Sequence, residues 1–419
     1  MKFCILGCGI GGVSTLYYMW KFRSKLPIDE IVVYSVNCNR CRCGCGVQKW
    51  KLDLVNFDIY KKFIISKIEK AIINFKNDEI NKTFEVKSRG VFSGYVIDRE
   101  KLQQYIINEF VNNGFIKFFE KVVTIHDVGE FVKNYDFIVN ATSFSFIDVG
   151  KFEKTEYYYI CTQGVTERGI DFEENTIYMF FRSYIPIGYA WVFPWRENTV
   201  HIGLGILNKF RKRQNVEKLL KKFVKECVDK KLIKNENVKN IVTKPIPCFN
   251  ASTLFNITHV EYEDFRKFNR LPSIFLISVH YLDKTCRIVN VGDAVGMVDS
   301  ITGAGIANTI IQTWAFVKTL TEVLHSFDKF IDALILEITR RKIEWLLNDL
   351  SHRYEVIEKL LTLKSNEIFQ IILKVYEHGS KWINIFSSFP LPKKLLTYVI
   401  SFLSKKLTKL VNKWKEELT

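Results

Sequence analysis

At 419 residues the chain is long enough for two or three domains of roughly 150 residues each, and for a buried core without staples. Apolar residues make up 47% and charged residues 25%, with eight prolines, which excludes global disorder and a long flexible linker. Lys and Arg outnumber Asp and Glu by 61 to 45, a net charge of +16 that favours polyanionic partners: nucleic acid, an anionic membrane surface, phosphorylated substrates or an acidic protein.

Met1 to Leu6 enters a short apolar strand with no basic segment or cleavage site, so no signal peptide is expected. No window of about 18 uninterrupted apolar residues predicts a spanning helix. Phe3-Cys4-Ile5-Leu6 reads as a strand, Gly7-Cys8-Gly9-Ile10-Gly11-Gly12 as a glycine turn, Val13 to Phe22 as a helix and Glu30 to Tyr34 as a second strand. This is the opening of a dinucleotide-binding βαβ unit. Its glycines make the tight turn, admit a pyrophosphate to the backbone N–H groups and let helix and strand pack closely. The helix N-terminus then faces the phosphates with its positive dipole end.

Further along, Phe137 to Thr142 is a buried strand ending in the small residues Ala141 and Thr142. Residues 176–206 read as strands with aromatic alternation, closing on Gly203-Leu204-Gly205, and 214–232 as a Lys-rich amphipathic helix. Arg287 to Val291 is a strand ending in Gly292-Asp293, and Gly303-Ala304-Gly305 opens a helix through about Leu324. Helical periodicity then covers 327–349, 351–363, 366–377 and 393–415, with no internal repeat. Two glycine-rich helix openings so far apart imply a discontinuous α/β nucleotide-binding domain. Its expected pieces are 1–150 and 280–325, with an inserted antiparallel-sheet substrate domain at 151–279 and a helical C-terminal region at 326–419. That layout suits a flavoprotein better than a simple NAD dehydrogenase.

Gly292-Asp293-Ala294-Val295-Gly296, followed by Thr302-Gly303-Ala304-Gly305-Ile306, is similar to the second FAD motif of flavoprotein hydroxylases. There the aspartate holds a ribityl hydroxyl and the helix N-terminus faces the flavin. Arg99, in Tyr95-Val96-Ile97-Asp98-Arg99, matches an arginine that these proteins place near FAD. Pro186-Ile187-Gly188-Tyr189-Ala190-Trp191-Val192-Phe193-Pro194, with Gly203-Leu204-Gly205 beyond it, resembles the signature of the geranylgeranyl reductase family. Cys43-Gly44-Cys45-Gly46 matches that family's Cys-Gly-x-Gly turn beside the isoalloxazine.

The resemblance covers roughly residues 1–320. It implies non-covalent FAD in a Rossmann-like domain of the flavin hydroxylase type. The implied activity is saturation of isoprenoid double bonds, chiefly in archaeal digeranylgeranyl lipids, by hydride from reduced flavin and a proton to the neighbouring carbon. It also implies a cofactor site of Gly7, Gly9, Gly11, Gly12, Tyr34, Ser35, Cys43, Gly44, Gly46, Arg99, Ala141, Thr142, Gly292, Asp293, Gly303, Gly305 and Ile306, with Cys43 as the catalytic candidate. Tyr189, Trp191 and Phe193 alternate along a strand, so they share one face and are expected to line a substrate tunnel. Two positions depart from the pattern. Tyr34, with Ser35 beside it, stands where the ribose-binding Asp or Glu is expected, and Ser143 follows Thr142 where the family has glycine.

Ten cysteines are not a secreted disulfide scaffold, and a cytoplasmic protein is expected. The spacing of Cys38, Cys41, Cys43 and Cys45 is tight for one metal, so no metal is expected. Plain thiols are the first reading, and a disulfide or redox pair the alternative. His201 reads as a packed or solvent-facing residue. Apolar and Lys positions at helical spacing from Lys393 to Trp414 fit a core helix, or one resting on anionic lipid at the inner face of a membrane. The substrate expected is a polyprenyl lipid or diphosphate, with ferredoxin or NAD(P)H as electron donor and no nucleic acid. Another flavin oxidoreductase or monooxygenase is the runner-up, and a non-catalytic isoprenoid binder a third reading.

Overall fold

The computed structural model describes all residues except 37–42, 88–92, 143–156, 214–215, 269–270, 325–329 and 387–419 other than Lys409 and Val411. Its first layer begins with β1 (Lys2–Leu6), whose apolar run Phe3 to Leu6 is wholly buried. Helix α1 (Ile10–Lys21) carries the chain over to β2 (Glu30–Ser35), which pairs parallel to β1 as a right-handed crossover requires. Around this unit gather β8 (Lys117–Glu120), β9 (Phe137–Asn140), β15 (Ile257–Glu261), β16 (Leu276–Tyr281) and β17 (Lys284–Asn290). The seven strands run β15-β16-β17-β9-β1-β2-β8, every pair parallel except β16–β17. One face packs on α1, α3 (Arg99–Asn112), α6 (Ile306–Val323) and α7 (Ile331–Leu360), and the other on α4 (Ile125–Asn134).

A second seven-stranded sheet is ordered β14-β10-β13-β12-β11-β5-β6. It comprises β5 (Lys70–Lys76), β6 (Asn81–Lys87), β10 (Tyr157–Glu167), β11 (Thr176–Arg182), β12 (Gly188–Pro194), β13 (Thr199–Leu207) and β14 (Lys239–Cys248). Alternation decides its two faces. Ala190 and Val192 of β12, with Val200, Ile202, Leu204 and Ile206 of β13, pack under α5 (Val216–Asp229), whose Leu219, Leu220 and Phe223 fill that side. The opposite face looks toward the glycine loops and is roofed by α7 and α8 (Ser365–Phe386). A small sheet of β3 (Gly46–Gln48), β7 (Gly94–Ile97) and β4 (Ile64–Ile68) joins the layers, followed after β3 by α2 (Lys49–Leu54).

Sheet membership crosses the divisions expected at 150 and 280. β5 and β6 belong to the second sheet, where β5 pairs parallel to β11, and β15 and β16 belong to the first. The helices expected over 327–349 and 351–363 are one helix, α7, because no Gly or Pro breaks residues 331–360. The amphipathic stretch from Lys393 to Trp414 lies outside the described residues, apart from Lys409 and Val411.

Candidate active site

Both glycine loops leave parallel strand ends at the same edge of the first sheet, where open α/β sheets bind ligands. In the first loop Gly7 has φ +94°, and a Cβ on Gly12 would stand 2.0 Å from the Gly7 carbonyl oxygen. Only glycine allows that approach. The nearest atom to a Cβ on Gly9 is the Ala141 oxygen at 3.9 Å, so Gly9 keeps an open side at the start of α1. A Cβ on Gly11 would press on Val291 at 2.9 Å, which brings α1 hard against the second loop.

Behind the loops lies a buried polar network that sequence reasoning missed. Asn140 Nδ2 donates to Asn290 Oδ1 at 2.7 Å, and the Thr142 N–H and hydroxyl donate to Asn140 Oδ1 at 3.2 and 2.7 Å. Gln312 accepts from the Gly292 N–H at 2.8 Å and donates to the Asn290 carbonyl at 3.1 Å. This network fixes Ala141, Thr142 and Gly292 in place. Polar residues inside apolar strands were the available signal, because buried amides are retained where they are paired.

The ribose corner departs from the pattern in a defined way. The Tyr34 ring stacks between Phe119 and Phe131 at 5.4 and 4.7 Å, and its hydroxyl pairs with Tyr135. Ser35 instead turns to the glycine loop, its Oγ accepting the Cys8 N–H at 3.1 Å. Ser35 thus faces the glycine loop, and alternation on β2 sends the Tyr34 ring into the layer under α4.

In the second loop Asp293 follows Gly292, and a Cβ on Gly305 would stand 3.6 Å from its Oδ1, so the carboxylate lies at the opening of α6 beside Ile306. Gly303 has φ +68° and open space around it. The Cys-Gly-x-Gly turn comes down on the aromatic strand. A Cβ on Gly44 would be 2.6 Å from the Phe193 ring and 3.4 Å from Trp191 Nε1, and one on Gly46 would be 3.6 Å from Phe193. Arg99, the first residue of α3, donates from Nη1 to Cys43 Sγ at 3.3 Å. The preceding Asp98 caps α3 and is held by Arg196, a residue the sequence did not single out, at 2.7 and 2.6 Å.

Tyr189, Trp191 and Phe193 do share a face, with ring centroids 5.7 and 6.5 Å apart in sequence order. The row continues from Tyr189 to Phe181 at 5.7 Å and Phe75 at 4.6 Å. The Tyr189 hydroxyl donates to the Thr302 carbonyl at 2.6 Å, and Tyr159 donates to Ser300 at the same distance, so two phenols latch this sheet to the cofactor loop. Gly203 lets Gln163 and Trp191 close over it, since a Cβ there would be 2.6 Å from each. Cys161, also unforeseen, is half-buried beside Cys43 and Asp293, and desolvation pushes its thiol up to about 12.

Cys43 is in no disulfide, whereas Cys45 is disulfide-bonded, as is Cys8. The plain-thiol expectation therefore fails at Cys45. Cys38, Cys41 and Ser143 lie outside the described residues. His201 is 4% exposed and edge-on to Trp195 at 4.1 Å, with burial pushing its imidazole down to about 4. It is a packed residue.

The site fits a flavin dinucleotide at most of its corners. The open sides of Gly9 and Gly303 expose backbone at two helix openings, Asp293 offers a carboxylate, and Trp191 Nε1 and Gln163 Oε1 are buried with no protein partner. Residues 158–243 match the geranylgeranyl reductase catalytic domain, the segment that carries the aromatic strand and Gly203-Leu204-Gly205. In this segment the chain is similar to the geranylgeranyl reductase family. A digeranylgeranylglycerophospholipid reductase of Thermoplasma acidophilum is 22% identical over 345 residues, 77% of this chain and 78% of that one. Among solved structures, a geranylgeranyl bacteriochlorophyll reductase-like protein of the same organism superposes with a TM-score of 0.65 at 17% identity, covering 88% and 90% of the two chains. A flavin-dependent halogenase superposes at 0.59 and 15% identity, covering all of this chain and 77% of its own. The chain therefore shares the flavin-hydroxylase type of fold. Among its described residues no helix is long and apolar enough to cross a membrane.

Proposed function

We propose that the chain is an FAD-dependent oxidoreductase that saturates double bonds in geranylgeranyl chains of membrane lipids or their precursors. One observation carries this reading: the Cys-Gly-x-Gly turn is pressed onto the Trp191–Phe193 face, with the second glycine loop and Asp293 alongside. In that reading the nucleotide-binding domain takes 1–150 and 280–325, less β5 and β6, which join the substrate sheet, and with β15 and β16 added.

Bound FAD would supply hydride to one carbon of the alkene, and the protein supplies everything else. Gly9 and the N-terminus of α1 receive the pyrophosphate, and Asp293 takes a ribityl hydroxyl. The alkene is unactivated, so alignment must contribute much of the rate. The row Phe193, Trp191, Tyr189 orients a flat, apolar chain and excludes water. Cys43 gives the neighbouring carbon its proton. The Arg99 N–H donates to Cys43 Sγ at 3.3 Å and orients it, and solvent returns the proton that the thiol gives up. Electrons come from NAD(P)H or a ferredoxin-like acidic protein, for which a net charge of +16 is suited. A substrate embedded in a bilayer would bring the chain to the membrane surface.

The test is an anaerobic spectrum. The purified chain carries flavin bands that bleach with dithionite and recover when a digeranylgeranyl phospholipid or geranylgeranyl diphosphate is added, with a gain of two hydrogens per bond reduced. Cys43→Ser should slow that recovery by roughly 10²-fold or more while flavin stays bound. Bound flavin that no polyprenyl substrate reoxidises would overturn the substrate reading, and oxygen uptake driven by NADPH would replace it with a monooxygenase.

A further inference from the structure

The loop between the second glycine motif and α6 is closed by one buried residue, Asp299. Its Oδ1 accepts the Ile301 and Thr302 N–H groups at 2.9 and 3.2 Å. Its own N–H donates to the Ala304 carbonyl at 3.0 Å, and its carbonyl accepts the Gly303 N–H at 2.7 Å. The loop so formed presents the Ser300 and Thr302 carbonyls to Tyr159 and Tyr189, and its glycines open α6 toward Asp293.

Two helices hold this loop from behind. From α7, Arg353 donates to Asp299 Oδ2 from Nη1 at 2.8 Å and to the Asp349 carboxylate, one turn back, from Nε at 3.2 Å. From α2, Lys51 donates to Asn308 Oδ1 at 2.6 Å, and Asn308 Nδ2 donates to the Ala304 carbonyl at 3.2 Å. Lys51 is buried among the charges of Asp349, Arg353 and Asp299. Two cations and two carboxylates thus balance inside the protein. Such a cluster is a poor source of bulk stability, since desolvation cancels much of its attraction. What it supplies is geometry, because each hydrogen bond fixes one atom of a loop with no side chain at Gly303 or Gly305.

We propose that Arg353 is a positioning residue of the cofactor site, setting the flavin-facing loop 299–305 through Asp299 while touching neither cofactor nor substrate. The helical C-terminal region is then part of the flavin site. One turn beyond Arg353 the same helix supplies Ile357 and Leu360 to the apolar cluster around Tyr159 and Ile187, so α7 spans the cofactor loop and the roof of the substrate face. The inference rests on the flavin reading only for the identity of the ligand.

Hydrogen exchange of the cofactor-free chain tests the loop itself. In Arg353→Met the amides of residues 301–304 should lose at least ten-fold protection, while α6 and the first sheet exchange as in the wild type. FAD titrated by fluorescence should bind ten- to a hundred-fold more weakly, with Arg353→Lys intermediate. Asp299→Asn keeps an acceptor for the two loop amides and loses the charge pair. It should reproduce the loss of affinity, and the double variant should be no worse than either single one. Unchanged loop exchange in Arg353→Met overturns the proposal, whatever happens to FAD. If Arg353→Met does not fold, wild-type exchange and affinity in Asp299→Asn overturn it. A wild-type chain that binds no FAD would sink the proposed function, and loop exchange would still decide this point.

Discussion

His201 shows how a single residue on the substrate sheet sets a solution property. Burial against Trp195 holds its imidazole at about 4, below the ordinary 6.5. Between those values the unfolded chain binds a proton that the native chain refuses, so stability falls as pH drops from 6.5 to 4 and is flat for this group above 6.5. The full effect is about 3 kcal/mol as an upper bound. Urea midpoints measured from pH 7 to 4 should fall more steeply for wild type than for His201→Gln, because the variant lacks this part of the acid loss. Parallel curves would show that His201 takes up its proton without unfolding. The sequence left His201 as packed or solvent-facing and did not name its neighbour. Trp195 pairs with it across the β12–β13 turn, and a single residue at single spacing carries no record of that. At the ribose corner, the departure from an acidic residue was legible at Tyr34. Which of Tyr34 and Ser35 faces the loop depended on the pleat of β2, and that required coordinates.

At the scale of the element, periodicity and glycine spacing carried far. The β1–α1–β2 unit, the shared face of Tyr189, Trp191 and Phe193 and the opening of α6 were all readable, because each is set by contacts within about 30 residues of sequence. Pairings between distant strands were not. The parallel match of β5 with β11 joins residues 70–76 to 176–182, and nothing local in either strand names its partner. The same holds for Gly44, whose sequence motif suggested a flavin contact and whose neighbour is Phe193. Gly44→Ala places a methyl 2.6 Å from that ring, and Gly203→Ala places one 2.6 Å from Trp191 and 2.8 Å from the Thr162 carbonyl. Neither position can relax without moving the aromatic strand. Overpacking there should cost about 1–3 kcal/mol in thermal or urea unfolding. The two variants should differ in activity: Gly44→Ala displaces the thiol turn and slows substrate-driven flavin reoxidation, while dithionite reduction proceeds as in the wild type. Wild-type stability in both would mean that the aromatic strand yields freely, contrary to its packing.

Across the whole molecule, one continuous aromatic row follows the second sheet. It begins where Gly44 meets Phe193, runs along Trp191, Tyr189 and Phe181 to Phe75, and ends beneath α8, where Phe369 stands edge-on to Phe75 at 5.9 Å. An apolar cleft opens at that far end, lined by Phe181, Ile185, Ile187 and Gly188 on the sheet side and by Ser365, Ile368, Phe369 and Ile372 on α8. A long polyprenyl chain whose reacting bond lies at Trp191 and Phe193 needs somewhere to send its remaining units, and this row leads to the cleft. Ser365 is half-buried at the first turn of α8 and borders this narrow cleft, so a large side chain there closes it. Ser365→Trp should leave flavin content, dithionite reduction and the reduction of a ten-carbon prenyl substrate unchanged. With a twenty-carbon chain the products, read by mass, should stop at fewer added hydrogen pairs. Full saturation at the wild-type rate would show that the chain leaves the site by another route. In that case the aromatic row beyond Tyr189 would be core rather than channel.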